Sequence, residues 1–501
     1  MATNPQDADL PEAGPEMHDP ARSAIFGDPQ DAPRRPRRDD HFELELEGFT
    51  DRGGAFGRAG SYTVELRGAL PGDRVVARVQ RRRRERIEAH ALERLSASPD
   101  RVPPVCRHVA DCGGCSFQEL GYERQLIELH ALALRQLAPL GLDGLGLSLP
   151  AVRGAERRFG YRNKMDFTFA SKRWKEQQDD GRRDDFALGL HARGRHDKGL
   201  DVLQCELMFE GGLPILETVR DRALALGLEP WDLHAHTGFL RHLVLRRGQR
   251  TGELLVDLVT SADDAPGFAE LCDVLLQRHP EITTLVQNVT TRLSTVAVGE
   301  REHLLHGPGV IHEELGGRRF RLSANSFFQT NTEQAEVLVQ RALSFLKPGR
   351  VLWDLYCGTG AFGLCLAERF EQIVGIELVE SAVLDARVNA ELNGVEHATF
   401  RVGDAAALLA DEARREADLP SPDAAVVDPP RAGLHPKVVA ALAEHGPPQV
   451  LYVSCNLKSA ARDLPPLLDA GYRLVDVECV DLFPHTPHLE GLFSLERERS
   501  A

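Results

Sequence analysis

The stretch "RVLWDLYCGTGAFGLCLA", residues 350–367, constrains the fold more than any other. An apolar run of strand length passes straight into Gly358-x-Gly360-x-x-Gly363 and then into an apolar helical pattern. A strand apolar on both faces needs cover on both, which is the situation of a parallel sheet flanked by helices. The glycines let the backbone turn tightly and let a ligand approach the free N–H groups of the helix, which favour anionic groups. The next run, "IVGIEL", ends in Glu377, a carboxylate able to accept hydrogen bonds from ribose hydroxyls. From about Ala324 to the end, strand-like and helix-like runs alternate, so the C-terminal part is expected to be Rossmann-like α/β. A nucleoside-containing cofactor fits this pattern; a dinucleotide and S-adenosylmethionine fit it equally, and the bland alternative is a tight turn with no ligand.

Two later runs narrow the choice. "PDAAVVDPPRAGL" is an apolar strand stopped by Asp428-Pro429-Pro430-Arg431. The prolines stiffen the turn and present Asp428 at the C-terminal edge of the sheet, where ligands bind in open α/β folds. Simple dehydrogenases have no evident use for this element, whereas enzymes that methylate bases often have a D/N-P-P turn. "QVLYVSCNLKSAARDL" then places Cys455 where an apolar strand gives way to a helical stretch. Alone, that cysteine reads equally as a buried packing residue or as a nucleophile.

The remainder divides into three further parts. Residues 1–38 are rich in Pro, Ala and Asp without periodicity, and are expected to be a disordered tail with no secretory signal. Residues 39–97 alternate apolar and polar positions in short runs ("FELELEGF", "YTVELRGAL", "DRVVARVQ"), predicting a small antiparallel barrel. Residues 98–323 mix one clear helix, "ERQLIELHALALRQL", with strand-like runs, predicting a mixed α+β domain. No apolar run approaches transmembrane length, so no membrane partner is expected and the expected location is the cytoplasm.

The net charge of −16 disfavours a nucleic-acid partner, because an acidic field repels phosphates. The basic residues are unevenly placed, however. Eleven Arg and five acidic residues lie between Arg52 and Arg94, including the run Arg81–Arg84, which suits RNA backbone binding as well as it suits a solvated edge. The nine cysteines are an odd number spread over a long chain, which fits reduced thiols or metal ligands better than a disulfide framework. "VCRHVADCGGCSF" gives Cys106-x5-Cys112-x2-Cys115, and Cys205 in "LDVLQCELM" is the obvious fourth ligand. Four thiolates suit zinc or a cubane cluster, and the spacing leaves both open. Cys272, Cys357, Cys365 and Cys479 sit in apolar runs and read as core. In "YRNKMDFTF", Arg162 and Lys164 share a face of an expected strand beside Asp166 and suit either a phosphate grip or a salt-bridged surface.

Taken in order, "SANSFFQTN", "DLYCGTGAFG", "GIE", "VVDPPRAG", "YVSCN" and "FPHTPHLE" resemble the motifs of the class I RNA uracil-C5 methyltransferases, which form 5-methyluridine. The resemblance runs from about residue 40 to the end. It implies a class I methyltransferase domain over 324–501 and, over 39–97, an OB-like TRAM barrel that binds RNA. It implies Cys455 as nucleophile and Glu490 as base. It also implies S-adenosylmethionine contacts from Gln329, Tyr356, Glu377 and Asp404, with Asp428 facing uracil and cofactor. The C-x5-C-x2-C spacing is that of the family branch holding a 4Fe-4S cluster, which implies Cys106, Cys112, Cys115 and Cys205 as its ligands, with zinc the alternative. Cluster motif and barrel together point, by resemblance, to 23S ribosomal RNA before transfer RNA; a monomer is expected. Ala361 stands where several members have Asn, and Leu457 where Pro is common. A non-catalytic RNA-binding or RNA-folding protein is the rival reading.

Overall fold

Apolar alternation in the first hundred residues produces strands with one buried face each, and the chain has to curl to bury it. The computed structural model describes residues 35–176, 181–293, 296–410 and 418–497; most of the tail expected at 1–38 lies outside them. Strands β1 (His41–Glu45), β2 (Gly48–Phe49), β3 (Ala55–Ala59), β4 (Tyr62–Leu66), β5 (Arg74–Arg83) and β6 (Arg86–Ser96) form one sheet in the order β1-β5-β6-β4-β3-β2. Its two outermost strands are joined by Leu46 and Glu47 alone, so its edges are drawn together. One pair, β4–β6, is parallel, where an all-antiparallel sheet was expected. Alternation reports which face of a strand is buried, and it says nothing of the direction of the neighbour.

The central sheet contains β7 (Lys164–Ala170), β8 (Ala187–Ala192), β9 (Arg195–Asp201), β10 (Leu240–Arg247), β11 (Leu254–Thr260), β12 (Thr284–Val289) and β13 (Arg301–His306), in the order β13-β12-β11-β10-β7-β8-β9. Only β11 and β12 run parallel, joined through the helix Phe268–Arg278. A hairpin of β14 (Val310–Leu315) and β15 (Arg318–Ser323) leads to the helix Thr332–Phe345. Asn331 caps that helix, its side chain accepting from Gln334 N at 3.2 Å.

The third sheet consists of β16 (Gly349–Leu355), β17 (Phe370–Glu377), β18 (Ala398–Val402), β19 (Ala424–Val427), β20 (Gln449–Ser454), β21 (Arg473–Val480) and β22 (Glu490–Glu496). Its order is β18-β17-β16-β19-β20-β22-β21. The first five are parallel neighbours, and β22 runs antiparallel between β20 and β21. From β16 the chain first goes outward to β17 and β18, then returns to the other side for β19 and β20. The carboxyl ends on either side of that switch enclose a crevice, the usual ligand position in such sheets.

Each face of this sheet has its own apolar cluster. One runs without a break from Phe42 and Val64 of the first sheet, through Leu129 and Leu137 of the helix Tyr122–Leu137, to Trp353 and Leu457. Shared burial of that kind, about 1.5–3 kcal/mol for each large apolar side chain, fixes the first sheet against the third. The four cysteines read as core, Cys272, Cys357, Cys365 and Cys479, are all buried.

Candidate active site

Cys455 follows the last residue of β20, and Glu490 is the first residue of β22. In the antiparallel register Ser454 is paired with Gly491, so the next step places Cys455 and Glu490 side by side at the sheet edge. Residues 35 apart in sequence thus meet through one strand pairing. The turn after Cys455 is tied internally: Asn456 N donates to Ser454 Oγ at 3.2 Å, and Ser459 Oγ donates to Asn456 O at 2.7 Å. Asn456 Nδ2 also donates to Arg431 O at 3.0 Å, joining this turn to Asp428-Pro429-Pro430-Arg431. Leu457, the departure from the common Pro, is buried at 2 % exposure and lies over Gly491.

The electrostatics of this edge follow from burial. The Cys455 thiol is pushed up to about 11 by burial and then by the Glu490 and Asp428 carboxylates, with the Arg431 guanidinium opposing them. Glu490 is raised well above the ordinary carboxylate range by burial and Asp428, again opposed by Arg431. Burial raises Asp428 to about 7. Three groups with raised proton affinity therefore face one cation. Arg431 Nη2 lies 2.8 Å from His488 Nδ1. The same Nη2 lies 3.4 Å from His488 Nε2, and because a guanidinium can only donate, the imidazole is the acceptor in this pair. Burial, then Arg431 and Arg162, lower His488 to about 4, so it is neutral.

A cavity of about 450 Å³ opens at the ends of β16 and β17 and is lined by Tyr356, Glu377, Asp404 and Pro430. Glu377 accepts from Gly358 N at 3.2 Å, which ties it to the glycine loop, and from Leu378 N at 2.7 Å. Asp404 caps the helix Ala405–Leu409, accepting from Ala406 N at 2.8 Å. Tyr356 is held in left-handed backbone, φ 63°. Three of the residues expected to contact a cofactor thus share one wall. Gln329 is not on that wall; its carbonyl accepts from Asn163 Nδ2 at 2.9 Å. Asp428 lies instead with Cys455 and Glu490. Ala361 opens the helix Ala361–Cys365 and packs against the apolar cluster on that face.

Cys106, Cys112, Cys115 and Cys205 line another cavity, of about 360 Å³. Gly114 N donates to Cys112 Sγ at 3.3 Å, and Gln118 Nε2 to Cys115 Sγ at 3.7 Å. Among the described residues no group of three or more His, Cys, Asp or Glu is gathered to hold a metal ion. Arg162 precedes β7 rather than lying on it, with its guanidinium 5.7 Å from the Phe483 ring centre, and Lys164 pairs with Asp166 at 3.2 Å. Arg81–Arg84 form the exposed tip of the β5–β6 hairpin. No helix among the described residues is long and apolar enough to cross a membrane.

Sequence reasoning missed Asp354. It is buried in β16, accepts from Gly363 N at 2.8 Å and is raised to about 7 by burial, the Asp428 and Glu377 charges adding to it. The signal was a single acid inside the apolar run "VLWDL". His488 and Arg431 were also left out of the candidate set, since only the fold brings their turns together.

The family model for tRNA (Uracil-5-)-methyltransferase matches residues 293–498. An uncharacterized RNA methyltransferase of Chlorobaculum tepidum is 41% identical over 478 residues, spanning 92% of this chain and 98% of its own length. Another, from Porphyromonas gingivalis, is 35% identical over 473 residues, spanning 91% of this chain and 99% of its own. The solved structure of Pyrococcus abyssi tRNA (uracil-54, C5)-methyltransferase in complex with S-adenosyl-L-homocysteine is similar with a TM-score of 0.70 and 28% identity. It covers 91% of this chain and 100% of its own, so the class I methyltransferase fold is shared. With near full-length relatives at this identity, the chain belongs to the S-adenosylmethionine-dependent RNA uracil-5-methyltransferase family.

Proposed function

We propose that this protein methylates carbon 5 of a uridine in RNA through a transient bond between Cys455 and carbon 6 of the base. The observation that carries the reading is the pairing of β20 with β22, which sets thiol and carboxyl side by side beside Asp428. Carbon 5 of uracil is too weakly nucleophilic to attack an alkyl donor. Addition of the Cys455 thiolate to carbon 6 pushes the ring electrons into an enolate whose reactive end is carbon 5. S-adenosylmethionine, held by Tyr356, Glu377 and Asp404, supplies the electrophilic methyl group and a sulfonium charge beside these groups. Carbon 5 forms its new carbon–carbon bond as the carbon–sulfur bond of the donor breaks. Glu490 takes the carbon 5 proton, the 5,6 double bond re-forms, and the Cys455 thiolate leaves.

Burial suits Glu490 to this task, because a carboxylate with raised proton affinity is a stronger base. A positive charge delivered nearby lowers the proton affinity of thiol and carboxyls alike, so donor binding and thiolate formation are linked. RNA carrying 5-fluorouridine tests the route, since fluorine cannot leave carbon 5 as a proton does. Wild type should give a denaturation-resistant protein–RNA adduct that Cys455→Ala lacks. Formation of 5-methyluridine with no adduct would reject covalent catalysis, and failure to form 5-methyluridine at all would reject the function.

For the RNA, we place 23S ribosomal RNA first, on the resemblance of the cysteine spacing and barrel. The matching family description and the Pyrococcus abyssi enzyme, both of transfer RNA, support the second reading. Mapping 5-methyluridine in both RNA classes, with and without the protein, decides between them. The exposed Arg81–Arg84 tip suits contact with phosphates. By the same resemblance we assign the cysteine cavity a 4Fe-4S cluster, with zinc the alternative. What supports a bound metal group is that the four cysteines line one cavity, and four thiolates suit either group. Such a cluster would supply rigidity rather than electrons, since the methyl transfer has no redox step. Anaerobically purified protein should carry iron and sulfide; one zinc per chain would overturn this assignment.

A further inference from the structure

Residues 481–489 connect β21 to β22 and therefore deliver Glu490 to its place beside Cys455. Almost every hold on this loop comes from outside the third sheet. Tyr122 OH donates to Asp481 Oδ2 at 2.8 Å, Asn331 Nδ2 to Leu482 O at 3.0 Å, and Tyr161 OH to Pro484 O at 3.1 Å. At its centre His485 is buried in left-handed backbone, φ 70°. A side chain in that conformation persists only where its surroundings over-determine it. They do so here: the His485 carbonyl accepts from both Ser116 N, at 2.8 Å, and Phe117 N, at 3.1 Å. Its ring stacks on Phe159 with centres 4.5 Å apart, and its Nδ1 lies 3.1 Å from Gln125 Nε2.

Ser116 directly follows Cys115, and Gln118 joins the cysteines further, donating to Cys115 Sγ and accepting from Cys106 N at 2.7 Å. The first sheet reaches the same point. A Cβ on Gly53, in the β2–β3 turn, would lie 2.5 Å from Ser116 Oγ and 3.5 Å from Pro487 Cγ. Neighbouring Asp51 forms an ion pair with Lys458, in the helix that follows Cys455. Barrel, cysteine segment and both reactive turns meet at one junction.

We propose that His485 is a positioning residue for the base, and that the cysteine segment and the barrel act on the chemistry by holding the 481–489 loop through it. This rests on Glu490 being the base. The junction needs no contact with RNA to matter, because its output is the position of one carboxyl group. It gives the four thiols a function distant from the transferred methyl group.

Hydrogen exchange and steady-state kinetics on the full chain test this. In His485→Ala the amides of Ser116, Phe117 and the 481–489 loop should exchange about tenfold faster, the scale of one lost hydrogen bond. The kcat should fall while the KM for S-adenosylmethionine stays within about twofold, since the cofactor cavity is separate. His485→Asn, which tolerates left-handed backbone and keeps a polar group for Gln125, should recover most of both. Cys115→Ser should loosen the same loop, and Cys272→Ala, buried in the helix Phe268–Arg278, should not. An unchanged loop in Cys115→Ser, or a loosened loop with unchanged kcat, overturns the proposal. The exchange measurement does not depend on which base is methylated, so a wrong substrate leaves it readable.

Discussion

Substituting Gly491→Ala tests whether the nucleophile is aimed by packing beneath it. An added Cβ would lie 2.5 Å from Leu457 Cδ2 and 2.8 Å from Phe493 Cε2. Carbon atoms rest about 3.5–4.0 Å apart, so something must move by about 1 Å. Phe493 is fully buried and Leu457 is 2 % exposed, so neither has free space to enter. Overpacking of this kind costs about 1–3 kcal/mol. Leu457 opens the helix that follows Cys455 and Asn456, so its displacement is carried to the thiol. A misplacement of about 1 Å at a reacting group lowers turnover about 100-fold, and that is the expected loss in Gly491→Ala. The remedy is specific. Leu457→Ala alone should destabilise by about 2–5 kcal/mol, yet in the double variant it removes the closer of the two clashes and leaves that with Phe493, so Leu457→Ala/Gly491→Ala should methylate RNA faster than Gly491→Ala. Methyl transfer from labelled donor and thermal unfolding of the four proteins complete the cycle. A double variant no faster than Gly491→Ala would refute the idea that Leu457 aims Cys455.

Three more outcomes are expected. Asp257 is fully buried, accepts from Asn288 Nδ2 at 2.9 Å, and is raised by burial to about 7. A raised carboxyl contributes stability below its unfolded value near 4 that is lost as pH rises through about 7, up to about 4 kcal/mol. Asp257→Asn should therefore reduce the fall in melting temperature between pH 5 and pH 8, and an identical fall would contradict the assignment. Arg431 lowers the proton affinity of both Cys455 and Glu490, so Arg431→Gln should move the pH profile of adduct formation to higher pH; a profile shifted to lower pH would contradict it. Replacing Arg81, Arg82, Arg83 and Arg84 by Gln should cut the salt dependence of RNA binding by a slope of about 3, if all four meet phosphates. An unchanged slope would remove the hairpin tip from the RNA interface.

Much of this molecule was legible before any fold was known. The glycine loop after an apolar strand, the acid ending the next strand and the Asp-Pro-Pro turn each carry a local physical signature, because a tight turn or a stopped strand is a property of a few consecutive residues. The parallel sheet follows from strands that are apolar on both faces. The parallel β4–β6 pair was not legible, since alternation carries no information about a neighbour's direction.

The remaining features belong to the tertiary structure. β22, inserted between β20 and β21, sets Glu490 beside Cys455, a pairing that no run of consecutive residues reveals. Asp354, Arg431 and His488 acquire their significance only from burial and from turns that meet across the sheet edge. The sequence determined which side chains can react and which turns can form, because those are local chemical properties. Proton affinities, the partner across a strand, and the hold of the cysteine segment on the 481–489 loop were decided by the fold, because each depends on which distant groups exclude water from one another.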